Sequence, residues 1–389
     1  MTATGPLHGI RVLDLATVVA GPGAARYLAD YGAEVVKIGA PAKAGAVQIE
    51  PVFYAYSAHR GMRRIRLDLK ADEGRSAFLR LAAEADVVIE SFRPGVVDRL
   101  GIGYDAVKSV NPGIVYCSTS GYGQDGPRSQ WAGHDLNYLA VGGYLACSGR
   151  SPDGGPALPG ATIADSAGGG MQAVMSILAA LVARQTTGEG RHLDVAAADG
   201  VLSLMSLYVE QHLATGDEPG PRHDLLTGKY ACYDLYEAAD GGWLSVGAIE
   251  GHFWRNLCGL LGHDEFADAQ FDDARQDEIR AAFRARFAER TRDEWAAELG
   301  PADTCVAPVL SIAEAAADEQ YLARGAIVEA THPTEGHFRQ VGPVLAGQPG
   351  QGDAVAVPDW TQTATDEVLA AVGFTPDELA ALRADEVIA

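Results

Sequence analysis

The sequence predicts a two-domain α/β protein: a larger domain on a parallel sheet, followed by a smaller α+β domain. Three observations carry this. Short apolar runs rich in β-branched residues alternate with helical stretches through the first half, as at 10–15 (IRVLDL), 34–38 (EVVKI) and 87–91 (VVIES). A polar stretch rich in Gly and Pro, 214–229, then interrupts the pattern. Beyond it two strands lie so close together, around Asp240-Gly241-Gly242, that a hairpin joins them.

The strands at 10–15 and 34–38 are separated by AGPGAARYLADYGA, where Ala25, Leu28 and Ala29 stand at helical spacing. A strand, a helix and a strand of this length make a parallel βαβ unit. Gly21-Pro22-Gly23 precedes that helix as a tight turn; a phosphate site at the helix N-terminus is the alternative, although the turn is not GxGxxG. A third strand falls on IRLDL (65–69), a helix on 72–85, a fourth strand on 87–91, and a fifth on IVYCSTS, which runs into a glycine-rich loop. A long apolar helix starts at Met171, and a strand and another helix share 192–209. Acidic amphipathic helices fill 251–299, residues 330–360 read as irregular, and Thr375-Pro376-Asp377-Glu378 announces a capped final helix. The boundaries that follow are a large domain over 1–205 and 335–389, a linker at 206–224 and a small domain at 225–325.

Composition narrows the partners. Lys plus Arg is 30 against 52 Asp plus Glu, a net charge of −22, so neither nucleic acid nor an anionic membrane surface is an expected partner. No run of eighteen apolar residues occurs. The cysteines (Cys117, Cys147, Cys232, Cys258, Cys305) are scattered, odd in number and free of CxxC spacing, which predicts reduced thiols in a cytoplasmic protein. In so acidic a chain, the places where cations gather are informative. Arg60, Arg63, Arg64, Arg66 and Lys70 form one cluster, and Arg93 and Arg99 follow the next strand. A solvated basic face is one reading; a site for a phosphorylated ligand at the carboxyl ends of parallel strands is the other. GxSxG, HExxH, a Walker loop and a Cys/His metal set are all missing, so no metal site is expected.

The stretch Trp131–Gly170 holds the candidate chemistry: a histidine beside an acid, His134-Asp135, and a second acid, Asp165, followed by Gly168, Gly169 and Gly170. An Asp at the mouth of a helix is most simply an N-cap. That does not explain three glycines, each costing a helix about 1 kcal/mol relative to Ala. Bare backbone there predicts close approach by a ligand or a neighbouring chain, and helix N-terminal amides beside Asp165 can hold an oxyanion. Glu250, at the end of WLSVGAIE, reads by itself as the first polar residue of a loop.

These segments together resemble the family III CoA transferases and, within them, the α-methylacyl-CoA racemases. The similarity runs over nearly the whole chain: GIRVLDL, DYGAEVVKI, RLDLK, IESFRPGVVDRLGIGYD, the NPGIVYCSTSGYGQDGPRSQWAGHDLNY block, IADSAGGG, and ADGGWLSVGAIEGHFW followed by TCVAPVL. GHDLNY with VGAIE favours the racemase branch. The resemblance implies a Rossmann-like large domain, a smaller α+β domain and an intertwined homodimer. It implies that His134 and Asp165 are the acid/base groups, with Glu250 beside His134 from the other subunit and Tyr233 in the substrate pocket. It maps CoA contacts onto Arg60, Leu67, Asp68, Leu69, Lys70, Ser91, Phe92, Arg93, Arg99, Gly133, Asp135, Leu136, Asn137 and Tyr138. Two departures stand out. Gly39-Ala40-Pro41 replaces the acid-Arg pair that racemases carry before that proline, which leaves the contacts to the nucleotide end of CoA open, with or without Lys43 in place of that arginine, and 46–58 departs from the usual polar loop.

The resulting expectation is an isomerase that interconverts 2-methylacyl-CoA epimers by 1,1-proton transfer, with no cofactor beyond the CoA of its substrate. Residues 46–58 and the Met171/Met175 face are where its acyl selectivity is expected. The alternative is a CoA transferase in which Asp165 is a nucleophile that forms an aspartyl-CoA thioester. A third reading, a CoA-thioester-binding protein without turnover, does not account for His134, Asp165 and Glu250 all being in place.

Overall fold

The computed structural model describes residues 5–16, 20–41, 59–344, 355–359 and 362–389. Lys43 and the 46–58 segment lie outside these. The described chain divides into two compact units: one of residues 1–142, 159–206 and 319–389, the other of 143–158 and 207–318.

The first unit is built on six parallel strands: β1 (Arg11–Asp14), β2 (Glu34–Gly39), β3 (Met62–Arg66), β4 (Val87–Glu90), β5 (Val115–Ser120) and β6 (Arg191–Ala196). Their order is β3-β2-β1-β4-β5-β6, the doubly wound order that reverses between β1 and β4. Alternate residues of each strand enter opposite cores, as the two-residue period of a strand requires. Leu13, Val36, Ile38, Ile65, Val88 and Tyr116 pack on one face; Val12, Val35, Met62, Ile89, Val115 and Cys117 pack on the other. The C-terminal segment belongs to this unit. Val368, Leu369, Leu379, Leu382 and Ile388 join the first core, and Leu67 bridges to Ile388. Thr375 caps the helix Pro376–Ala384, with the Glu378 carboxylate accepting the Thr375 N–H at 2.7 Å.

Several sequence expectations are corrected. Gly21, Pro22 and Gly23 do not precede the first helix but form the start of it, Ala20–Asp30, where Pro is tolerated because first-turn N–H groups have no helical partner. β3 spans MRRIR rather than IRLDL; an edge strand can carry polar side chains that an interior strand cannot. Residues 327–341 are not irregular: Ile327–His332 and Gly336–Val341 form an antiparallel hairpin that Val355–Ala356 extends. The π-turn at 164–171 and the helix after it make one apolar element, Ala164–Thr187, of membrane-spanning length, with mean hydropathy 1.5 in its most apolar part. Its Ala173, Val174, Ile177, Ala180 and Leu181 are buried in the second core.

The second unit carries an antiparallel sheet, Tyr233–Glu237, Trp243–Gly247 and Val306–Pro308, whose first two strands are the hairpin around Asp240-Gly241-Gly242. Trp254, Phe283, Phe287 and Trp295 fill its core, and both indole N–H groups donate to backbone carbonyls, at Phe266 (2.9 Å) and Phe287 (3.0 Å). The expected linker contains a helix, Ser206–Thr215.

Candidate active site

A cavity of about 400 Å³ opens at the carboxyl ends of β4 and β5, beside the point where the strand order reverses. Ser91, Phe92 and Arg93 leave β4 into its wall, and Thr119 to Tyr122 leave β5. Gly133 and His134 lead into the helix Asp135–Val141, which adds Asn137 and Tyr138. Asp165 closes the wall from the π-helix Ala164–Met171.

Local chemistry fixes these groups. The Asn137 side chain accepts the His134 N–H at 3.0 Å, so the helix end and the histidine backbone hold each other. The Tyr138 hydroxyl donates to the Gly133 carbonyl at 2.6 Å. Gly121 and Gly133 are glycines because a Cβ at either would stand 2.4 or 2.6 Å from the Tyr138 ring. Burial, reinforced by Asp165, pushes the Tyr138 phenol up to about 12.

Asp165 is 7% exposed. It is not an N-cap but the second residue of a π-helix, the wide turn that recurs at functional sites. Its N–H is accepted by the Asp135 carboxylate at 2.9 Å, so that amide is not free to hold an oxyanion. Gly168 is explained by neither a ligand nor a neighbouring chain. A Cβ there would lie 2.8 Å from the Ala197 carbonyl, and one at Gly200 would lie 2.1 Å from the Gly168 carbonyl; the helix Ala197–Leu204 crosses the π-turn backbone to backbone. The Asp165 carboxyl is raised to about 6, first by burial, then by Asp135, while His134 opposes the shift.

A second buried acid lies under the wall. Glu90, the last residue of β4, is 1% exposed, and its carboxylate accepts the Phe92 N–H at 2.7 Å. Burial raises it to about 7. Sequence reading missed it because it ends the apolar run VVIE as the first polar residue. Thr119, Ser120, Gly121, Tyr122 and Trp131 were also missed as wall residues; their signal was the strand IVYCSTS running directly into GYG.

The structure thus gathers His134, Asp165, Ser91, Phe92, Arg93, Gly133, Asn137 and Tyr138 on one cavity. It places the other expected contacts elsewhere. Arg60 is 4% exposed and paired with Asp30, Nη2 to Oδ2 at 2.7 Å, with a further bond to the Val341 carbonyl, so its guanidinium is turned to partners within the fold. Arg63 pairs with Glu367 at 3.2 Å, and Arg66 donates to the Ala40 carbonyl at 2.8 Å. Arg60, Arg63 and Arg66 therefore each join parts of the fold. Leu67 is buried in the core and Leu69 packs against it; Asp68 accepts the Lys70 N–H, and Lys70 is exposed. Arg99 and Leu136 are exposed off the cavity wall, and the Asp135 side chain turns to Asp165. Met171 and Met175 are also off that wall. Glu250 and Tyr233 belong to the second unit. Glu250 is the exposed residue before the helix Gly251–Leu261, and Tyr233 opens the first strand, opposite Gly247.

Residues 7–362 match the model of CoA-transferase family III. The α-methylacyl-CoA racemase of Mus musculus is 34% identical over 384 residues, 98% of this chain and 97% of the relative. The acetyl-CoA:oxalate CoA-transferase of Acetobacter aceti is 33% identical over 340 residues, 84% of this chain and 86% of the relative. The crystal structure of a CAIB/BAIF family protein from Brucella suis superposes with a TM-score of 0.74 at 29% identity, covering 98% of this chain and 99% of that one.

Proposed function

Because the chain belongs to CoA-transferase family III, we propose that it is a racemase or epimerase of 2-methylacyl-CoA thioesters, acting by 1,1-proton transfer through an enolate. The observation that carries this reading is that His134 and Asp165 line one cavity, with the Asp165 carboxyl raised to about 6. For one epimer the Asp165 carboxylate removes the α-proton, the C–H electron pair enters the enolate, and the His134 imidazolium returns a proton to the opposite face. Asp165 then carries the proton and His134 is neutral, which is the starting state for the other epimer. Two carriers of opposite protonation state are what a reversible exchange needs. In this reading Glu250 comes from the second subunit of a homodimer to orient His134, Tyr233 lines the acyl pocket, and CoA phosphates meet Arg93 and Arg99. The protein works in the cytoplasm with no cofactor beyond the CoA of its substrate.

The test is exchange in heavy water. The enzyme should incorporate deuterium at the α-carbon of a 2-methylacyl-CoA while interconverting its epimers, and Asp165→Asn or His134→Gln should each lower the rate by about 100-fold or more. The transferase relative at 33% identity keeps a second reading in play, with Asp165 as nucleophile. CoA transfer to a free carboxylate, lost in Asp165→Asn and unaccompanied by α-exchange, would replace the racemase reading with that one.

A further inference from the structure

We propose that the Asp135 side chain is a positioning residue for Asp165: it clamps the start of the π-helix to the helix that carries His134, so that the two proton carriers keep a fixed separation. This rests on the proton-transfer reading of the same cavity.

The geometry is specific. Asp135 Oδ1 accepts the Asp165 N–H at 2.9 Å, although the two residues are 30 apart in sequence. A helix start leaves N–H groups without helical partners. Here one of them is satisfied by the residue next to His134, and it is the amide of the reacting acid itself. The cavity wall includes His134, Asn137 and Tyr138 from this helix but not Asp135, so its side chain serves Asp165 rather than a ligand. The clamp is electrostatic as well as mechanical. Asp135 raises Asp165, second only to burial, and His134 acts in the opposite sense. The Tyr138 phenol is the other titratable group close to Asp165. The elements packed on the π-turn also carry Arg26, Tyr27, Asp30, Arg184, Arg191, His192, Asp194 and Asp199, none of which is among the causes of the Asp165 shift.

The sign follows. A negative neighbour disfavours ionised Asp165, so removing that charge lowers the pH below which Asp165 stops acting as a base. Asp135→Asn keeps an acceptor for the amide and removes the charge; Asp135→Ala removes both. Asp135→Asn should move the acidic limb of the exchange profile, near pH 6 in wild type, down by about one pH unit. Asp135→Ala should lower kcat by about 30-fold with KM little changed. Independently of turnover, the Asp165 titration can be followed by carboxyl ¹³C NMR, assigned by its loss in Asp165→Asn, and its midpoint should fall in Asp135→Asn. An unmoved midpoint, or a raised KM at constant kcat in Asp135→Ala, would overturn the proposal. Absence of exchange in wild type would instead count against the racemase reading and leave the NMR test of Asp135 standing.

Discussion

Cations gather in two places on this acidic chain, and the structure uses them in opposite ways. Around β3, Arg60 and Arg63 are turned to carboxylates and Arg66 to a carbonyl. Beyond β4, Arg93 and Arg99 are exposed and, among the described residues, neither is ion-paired. Arg93 stands on the cavity wall. Three members of the denser cluster are taken up by contacts within the fold, whereas Arg93 and Arg99 are open to solvent.

The largest effect expected from this contrast is at Arg60. Arg60→Ala leaves Asp30, 8% exposed in its side chain, without its partner, and breaking a buried pair in this way costs about 3–5 kcal/mol. Chemical denaturation should show that loss. The double variant Arg60→Met, Asp30→Leu should recover most of it, because no buried charge is then left unpaired. A fully stable Arg60→Ala that binds CoA poorly would reverse the assignment of the two clusters.

The strands were legible in the sequence because interior strands of a parallel sheet are buried on both faces and appear as apolar runs such as VVIE and IVYC. β3 was displaced in the reading because MRRIR is an edge strand, and the hairpin at 327–341 was missed because its strands, IVEATH and GHFRQV, are as polar as loops. The π-turn was not legible at all. Its glycine Gly168 is required by Gly200, a contact between residues distant in sequence. Likewise the histidine beside an acid drew attention to His134-Asp135 as a pair, whereas Asp135 bonds the Asp165 amide. Residue types marked the site; which of them touch one another depended on the fold.

The middle of the range lies at Arg93 and Arg99. Arg93→Ala should weaken CoA binding about tenfold and flatten its salt dependence, with the melting temperature unchanged, since an exposed, unpaired side chain contributes little to folding. Arg99→Ala should act in the same direction and less strongly, because Arg99 is off the cavity wall. Calorimetric titration with CoA at two ionic strengths measures both. Unchanged affinity in the double variant would remove the second cluster from the ligand altogether.

The smallest effect is the most discriminating. Arg63 is 43% exposed in its side chain and pairs with Glu367 at 3.2 Å and Glu34 at 3.9 Å, so Arg63→Ala should cost less than about 0.5 kcal/mol, and less again at high salt. Its affinity for CoA should match wild type, even though it sits in the densest run of positive charge in the chain. A ligand phosphate competing for Arg63 would have to displace two carboxylates, Glu367 and Glu34. A tenfold loss of CoA affinity in this variant would mean that the ligand does displace them, and the division of the cations into structural and ligand-facing groups would fail at the residue where it is weakest.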